Sequence, residues 1–343
     1  MKINVYAVDL AKNKFQVHGF DRRGERRLAK TLSRAGMLRF FDAHEVAGVE
    51  VVMEACASAH YWGRRLGALG YRVRLIPPQH VRAYVLGNKT DANDADAIYA
   101  VSRRKDIREV AVKTVGQQDA LLVHSTRERL VQARTALVNQ LRGVLAERGV
   151  VFGRRIEVLR RELALWLDRP AEGEVTALLQ QWVRERQAEW NALEEQIASC
   201  DRQMRQWYQA TPACARLGEV EGIGVITATA VVASVGDARQ FDSGRQFASW
   251  LGLTPRECSS GGKRHLGGIT KRGDGYLRKL LIHGARAAVL TAKRKQDARS
   301  RWIKALVERR GHNRAVVALA NKNARILWAL LTTGECYRQP LAA

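Results

Sequence analysis

The pattern of apolar and polar positions changes character twice along the chain. At the N-terminus, strand-like and helix-like patterns alternate. Ile3 to Asp9 reads as a strand ending in a carboxylate, and Lys14 to Phe20 as a second strand followed by a turn at Asp21-Arg22-Arg23-Gly24. A third short strand is expected over Arg27 to Leu32 and a helix over Gly36 to Ala47. Val49 to Met53 reads as a buried strand that ends at Glu54. A helix over Tyr61 to Leu69 is stopped by Gly70, and a strand over Arg72 to Ile76 by Pro77-Pro78. A meander followed by helices alternating with strands predicts a mixed sheet flanked by helices.

The middle of the chain, from about residue 115 to 207, is helical and largely free of proline. Leu130, Leu137, Leu141 and Leu145 fall near one face. A longer stripe runs through Val175, Leu179, Trp182, Arg186, Trp190, Leu193, Ile197, Cys200, Met204 and Trp207, always in steps of three or four. This is a coiled-coil seam interrupted at Arg186. It fits two helices packed within one chain, or a dimerisation arm, since a seam does not name its partner. The reversal between the helices is placed over Gly153 to Gly173. From Thr211-Pro212 onward the pattern is again helical, broken by glycine-rich stretches. The expected class is therefore α/β plus all-α. Its expected parts are an α/β domain over residues 1–115, a helical coiled-coil arm over 116–207 and a mostly helical C-terminal domain over 208–343.

Charge narrows the class of partner. The 343 residues carry 58 Lys+Arg against 34 Asp+Glu, a net charge of +24. Such a surface seeks a polyanion, most often nucleic acid, with a basic membrane-surface protein as the alternative. The excess peaks between Lys263 and Arg325, where 18 basic residues face three acids, Asp274, Asp297 and Glu308. No apolar run approaches the roughly 18 residues of a membrane span. The first residues read as a strand, so no signal peptide is expected. The five cysteines, Cys56, Cys200, Cys214, Cys258 and Cys336, are odd in number and lack zinc-knuckle spacing. They read as reduced thiols of a cytoplasmic protein.

Three groups of residues carry candidate chemistry. The first is acidic: Asp9 and Glu54 end strands, and Asp91 and Asp94 follow Thr90, a candidate helix N-cap. Carboxylates at strand ends gather at one edge of a sheet. Asp91 and Asp94, three apart, lie about 60° apart around a helix and can face one site, whereas Asp96, about 140° from Asp91, should point elsewhere. Four clustered carboxylates repel one another unless divalent cations neutralise them, and two Mg²⁺ ions roughly 4 Å apart would do so. The plainer reading of Asp91 and Asp94 is first-turn charge favouring the helix dipole. The second group, Gly222-Ile223-Gly224, precedes an apolar helix and reads as a helix-hairpin-helix turn offering backbone N–H groups to phosphate, or as a simple helix–helix turn. The third is Ser259-Ser260-Gly261-Gly262-Lys263-Arg264. An exposed hydroxyl beside two cations suits attack on phosphorus, although such a run is more often a flexible loop.

In sequence order these blocks resemble the transposases of the IS110 insertion-sequence family, most closely its IS1111 branch. The resemblance covers nearly the whole chain. It is carried by Tyr6-Ala7-Val8-Asp9, Met53-Glu54-Ala55, Lys89-Thr90-Asp91 with Asp94-Ala95, and Gly222-Ile223-Gly224. It continues through Phe247 to Pro255 with Leu251-Gly252-Leu253-Thr254-Pro255, Ser260-Gly261-Gly262, and Lys271-Arg272-Gly273 with Leu277-Arg278. It implies an RNase H-like, RuvC-like N-terminal domain whose DEDD metal set maps to Asp9, Glu54, Asp91 and Asp94. It further implies a C-terminal transposase domain whose catalytic serine maps to Ser260, with Ser259 one register step away. A composite site is implied, the acids of one subunit working with the serine of another through a covalent serine–DNA intermediate. So is guidance by a structured non-coding RNA from the element's flank.

The expected partners are accordingly DNA, that RNA and further copies of the chain in a dimer or tetramer, with no membrane and a place in the bacterial nucleoid. The nucleic-acid-binding set is assigned to Lys89, Gly222, Gly224, Lys263, Arg264, Lys271, Arg272 and Arg278. Two other functions fit the same composition: a junction-resolving metal nuclease that needs no serine, and a non-catalytic nucleic-acid-binding protein.

Overall fold

The computed structural model describes residues 2–44, 46–85 and 90–338. Lys89, one of the expected nucleic-acid contacts, lies outside the described residues. The chain divides into two compact units, and neither is a continuous stretch. One comprises Met1–Gln118, Ala233–Trp250 and Leu331–Thr333, the other Asp119–Val232, Leu251–Leu330 and Gly334–Ala343.

The first unit is built on a five-stranded sheet of β1 (Val5–Leu10), β2 (Lys14–Phe20), β3 (Arg26–Ser33), β4 (Glu50–Glu54) and β5 (Arg72–Ile76), in the order β3-β2-β1-β4-β5. The meander β1-β2-β3 pairs antiparallel, whereas β1–β4 and β4–β5 are parallel. Strand parity sorts the side chains onto two faces. Tyr6, Val8, Phe15, Val17, Val51, Met53 and Leu75 point to the face covered by α1 (Gly36–Asp42) and α2 (Ala59–Ala68), where Phe41, Trp62 and Leu66 complete a buried cluster. Val5, Ala7, Phe20, Val52 and Ile76 point the other way. They are covered by Val81, at the end of the single-turn α3 (Pro78–Val81), and by Ala97, Ile98 and Val101 of α4 (Asp91–Ser102).

The strand assignments from sequence agree with this sheet to within a residue or two. The first helix does not: it stops at Asp42 rather than Ala47. The N–H groups of Ala43 and His44 fold back onto the carbonyls of Arg39 and Phe41, and the Tyr71 hydroxyl donates to the Phe41 carbonyl at 2.8 Å. The last turn is thus satisfied without further helix. The C-terminal contribution to this unit includes α10 (Gly244–Trp250), with Phe241, Phe247 and Trp250 in mutual ring contact. The Arg108 guanidinium sits 4.9 Å from the centre of the Phe241 ring.

The second unit holds α7 (Ala177–Ala210) and, from Asp119 onward, α5 (Val115–Ala146), each helix close to 50 Å at 1.5 Å per residue. The seam seen in the sequence closes within the chain. Leu130 packs with Ile197, Cys200 and Met204, and Leu137, Leu141 and Leu145 share a buried cluster with Leu179, Val183 and Trp190. The reversal between the two helices contains a helix of its own, α6 (Ile156–Leu167). Its Leu159, Leu163, Trp166 and Leu167 bury into the same cluster, an i, i+4, i+7, i+8 stripe that the reading of a plain reversal missed.

The remaining helices are α8 (Pro212–Gly218), α9 (Val225–Val235), α11 (Gly275–Ala292), α12 (Ala298–Arg310) and α13 (His312–Thr333). Between α10 and α11 lies a hairpin of β6 (Pro255–Glu257) and β7 (Leu266–Ile269), in a region read from sequence as helix broken by flexible glycine-rich loop.

Candidate active site

Register explains why two distant acids meet. Val8 pairs with Met53 in the parallel β1–β4 ladder, so Asp9 and Glu54 are the next residues along each strand and share a face. Parity puts both on the face that carries α4. Thr90 caps that helix by accepting from the Asn93 N–H at 3.2 Å, which leaves Asp91 and Asp94 in its first turn.

Electrostatics ties the four together. Asp9 is only partly exposed, and its carboxyl is pushed up to about 6 by burial first, then by the fields of Asp94, Asp91 and Glu54. A second witness stands at the same edge. The Cys56 thiol is raised to about 11 by burial and then by Glu54 and Asp9. All four sequence-assigned acids therefore act on one locus.

Among the described residues no group of three His, Cys, Asp or Glu side chains is closed tightly enough to hold an ion as it stands. The acids are near enough to repel one another without forming a finished cage. The donor set is all carboxylate oxygen, and this chemistry fits a hard divalent cation. Such a cation would relieve the part of the rise at Asp9 that the neighbouring acids add to burial.

The geometry also brings in His18, Arg26, Gln16 and Thr31, which the sequence reading passed over. Asp96 points away from the other acids, as its helical position requires. Its Oδ1 lies 2.7 Å from Nδ1 of the buried His18, and its Oδ2 accepts from Arg26 at 2.7 Å. A carboxylate only accepts, so His18 donates from Nδ1 and its Nε2 accepts from the Gln16 amide at 3.0 Å. Thr31 donates to the Gln16 carbonyl at 2.8 Å, and Gln16 is the cross-strand partner of Asp9. A polar chain thus pins α4 to β2 and β3 beside the acids. The only sequence signal was the position of His18 in an otherwise apolar half-strand.

In the second unit, Ser260 sits at the tip of the β6–β7 hairpin. The Lys263 N–H donates to the Ser260 carbonyl at 3.0 Å, and Gly261 and Gly262 take φ of +56° and +74°. Two successive left-handed residues make a type I′ turn, which glycine alone adopts without strain. Ser259 uses its hydroxyl within the hairpin, donating to Glu257 at 2.8 Å and accepting from the His265 N–H at 3.3 Å. The Ser260 hydroxyl is exposed and has no hydrogen bond among the described residues. Lys263 is exposed beside it, whereas Arg264 pairs with Glu257 at 3.3 Å.

The other assigned contacts divide. Arg278 donates from Nη1 to the carbonyls of Leu251 and Arg272, both at 3.0 Å, and the Lys271 N–H donates to the Gly252 carbonyl at 3.1 Å. These bonds tie down the hairpin's base. Lys271 and Arg272 keep exposed side chains.

Gly222, at φ +87°, lies in the turn between α8 and α9. The Glu221 carbonyl in that turn accepts from Arg299 at 3.3 Å and from Asn323 at 3.2 Å. A Cβ on Gly224 would meet nothing within 4 Å. The groove of about 670 Å³ against this turn has Arg205 and His283 in its wall.

A sheet ordered 3-2-1-4-5, with acids at the ends of its two central parallel strands and two more on the facing helix, defines a RuvC-like DEDD nuclease-type domain. Residues 6–148 match a family model described as a transposase, the DEDD transposase of IS110-type elements. Residues 214–302 match a second, described as the transposase IS116/IS110/IS902 family. A probable family 20 transposase of Pseudomonas aeruginosa is 49% identical over 98% of this chain and 99% of its own length. The transposase for insertion sequence element IS1111A of Coxiella burnetii is 44% identical over 98% and 92%. The transposase for IS1328 of Yersinia enterocolitica is 34% identical over 98% of both.

The chain belongs to the IS116/IS110/IS902 family of transposases. It is a DNA transposase whose DEDD domain works with divalent metal. Among the described residues no helix is long and apolar enough to cross a membrane.

Proposed function

We propose that the chain recombines DNA through a covalent bond to Ser260, at sites chosen by a structured non-coding RNA from its own element. The observation that carries the serine assignment is the contrast at the hairpin tip, where Ser259 is spent on Glu257 and Ser260 is exposed and unengaged. Attack by the Ser260 oxygen forms a serine–phosphorus ester and breaks one phosphodiester bond. The proton lost by the serine matches the one gained by the departing deoxyribose oxygen. A new strand's hydroxyl reverses the exchange, so one ester replaces another and no external energy source is needed.

Asp9, Glu54, Asp91 and Asp94 would hold Mg²⁺, two ions in our reading, which supplies charge neutralisation at the scissile phosphate when bound. Lys263 attracts the phosphate to the serine. The turn at Gly222 and Gly224 and the exposed Lys271 and Arg272 hold backbone. Lys89 and Arg264 complete the contacts, and Arg278 serves them through the loop it braces.

Guidance by RNA is supported by the family resemblance and by a net charge of +24, enough to engage two kinds of backbone while base pairing selects the target. Functionally the chain divides into an acidic domain (1–115), a helical arm (116–207) and a serine domain (208–343), acting in a dimer or tetramer on the nucleoid. The acids of one subunit work with the serine of another.

The test is a denaturing gel for protein–DNA adducts. Ser260→Ala abolishes them with DNA binding intact, and Ser259→Ala retains them. Adducts at normal yield from Ser260→Ala would refute the assignment. RNA sequenced from the purified protein should match the element's flank.

A further inference from the structure

The β6–β7 hairpin and helices α12 and α13 enclose a groove of about 1130 Å³, and of its lining residues the proposed function draws on Lys271 alone. Its walls carry four cations: Arg256 on β6, Lys271 just after β7, Arg310 at the end of α12 and Arg314 in the first turn of α13. All four are exposed, and no acidic side chain lines the groove. Among the described residues none of the four forms an ion pair, whereas the neighbouring Arg264 is held by Glu257. Four uncompensated cations around one concavity raise its potential and draw a polyanion.

The floor adds a second constraint. Apart from the four cations, Asn313 and Asn321, the lining is apolar or glycine, with Leu266 half exposed at 52% and Gly267 and Gly268 leaving the backbone bare. A duplex presents phosphates outward and hides its bases, so it would cover such a floor poorly. An unpaired strand can turn phosphates to the rim and sugars and bases to the floor. No aromatic side chain lines the groove, so no stacking platform discriminates among bases. From the Glu257–Leu266 pair to Ser260 is three residues, about 10 Å along an extended chain.

We infer that this groove binds one unpaired nucleic-acid strand by its backbone, without regard to sequence, and leads it toward the hairpin tip. The inference deepens the reading of Ser260 as the nucleophile and fails separately from it.

The experiment uses full-length protein carrying Ser260→Ala, so that no covalent step intervenes, with and without Arg310→Gln/Arg314→Gln. Binding of single-stranded DNA, single-stranded RNA and duplex DNA of one sequence is measured across salt. Loss of two contacts at a slope of about 0.7 each lowers the salt slope by about 1.4, or roughly 25-fold in affinity at 0.1 M salt. A loss confined to DNA makes the strand substrate, and a loss confined to RNA makes it guide; either supports the groove. The inference falls if single-strand affinity and slope are unchanged, if only duplex binding weakens, or if the substitutions alter sedimentation alone, which would make the groove an interface between copies. Matched unfolding curves show that the variant is folded. Adducts from Ser260→Ala would overturn the serine and leave the groove standing.

Discussion

Gly222 and Gly284 meet backbone to backbone. A Cβ on Gly222 would stand 2.7 Å from the Gly284 carbonyl oxygen, and one on Gly284 would overlap the Gly222 carbonyl. The first glycine of the Gly222-Ile223-Gly224 motif therefore lets α11 approach the turn, while Gly224 stays open. Gly284→Ala should lower stability by about 1–3 kcal/mol. Gly224→Ala should stay within about 0.5 kcal/mol yet weaken DNA binding if its N–H meets phosphate. Denaturant unfolding and a binding titration separate the two, and equal stability in both variants would contradict the contact.

The acid cluster predicts a dependence on cations. Asp9 is raised to about 6 against an ordinary value of 3.8, so between those pH values the folded chain holds a proton that the unfolded chain has released. Stability should fall as pH rises through that window, and Asp9→Asn should remove this part of the slope. Above it, Mg²⁺ should raise the unfolding temperature of the native chain by mass action and chelation should reverse the gain, with no response from Asp9→Asn. An equal response in the variant would place the ion elsewhere.

The His18–Asp96 bond predicts an effect on the metal rather than on folding alone. Asp96→Ala strands a buried imidazole, costing about 1–3 kcal/mol. By loosening α4 it should also weaken Mg²⁺ affinity by roughly 10- to 100-fold. Asp96→Asn, which can still accept from His18, should recover most of both. Calorimetric titration of Mg²⁺ into each protein decides, and unchanged affinity in Asp96→Ala would leave the residue a merely structural role.

A second buried histidine sets the acid limit. His124 has Nε2 3.0 Å from Thr229 Oγ1, whose own proton goes to the Val225 carbonyl at 2.7 Å. His124 must therefore donate there, and its Nδ1 accepts from the Tyr276 hydroxyl at 3.0 Å. Burial first, then Arg127, lowers His124 to about 4; His60 is lowered to about 4 by burial, then Lys113 and Arg64. The unfolded chain takes up these protons near 6.5, the folded chain only near 4, so stability should be lost as pH falls between those values. His124→Gln should flatten that loss. A slope equal to that of the native chain would show that His124 does not contribute.

Much of this was legible in the residues because strand period and turn chemistry are local. Asp9 and Glu54 were placed by strand ends, and Asp91 and Asp94 by the Thr90 cap. What escaped depended on distant partners. Nothing near His18 announces Asp96, and nothing near Gly222 announces Gly284. The hairpin was missed because β6 has only three residues and β7 only four, too short for a period to declare itself, and glycines at its turn look the same as those of a loop. Helix α6 was overlooked because its apolar stripe lay in a span already assigned to a reversal. The groove's cations come from β6, α12, α13 and the segment after β7, so no window of sequence collects them.

The N-terminal unit is completed by residues that the ribosome makes late. Arg108 rests on Phe241, and Ala111 stands against Gly236, where a Cβ would come within 3.0 Å. A chain ended after residue 232 would carry all four acids on a sheet still missing these neighbours. Synthesis of the two units is thereby interleaved, and a chain truncated before Ala233 inherits an unfinished scaffold.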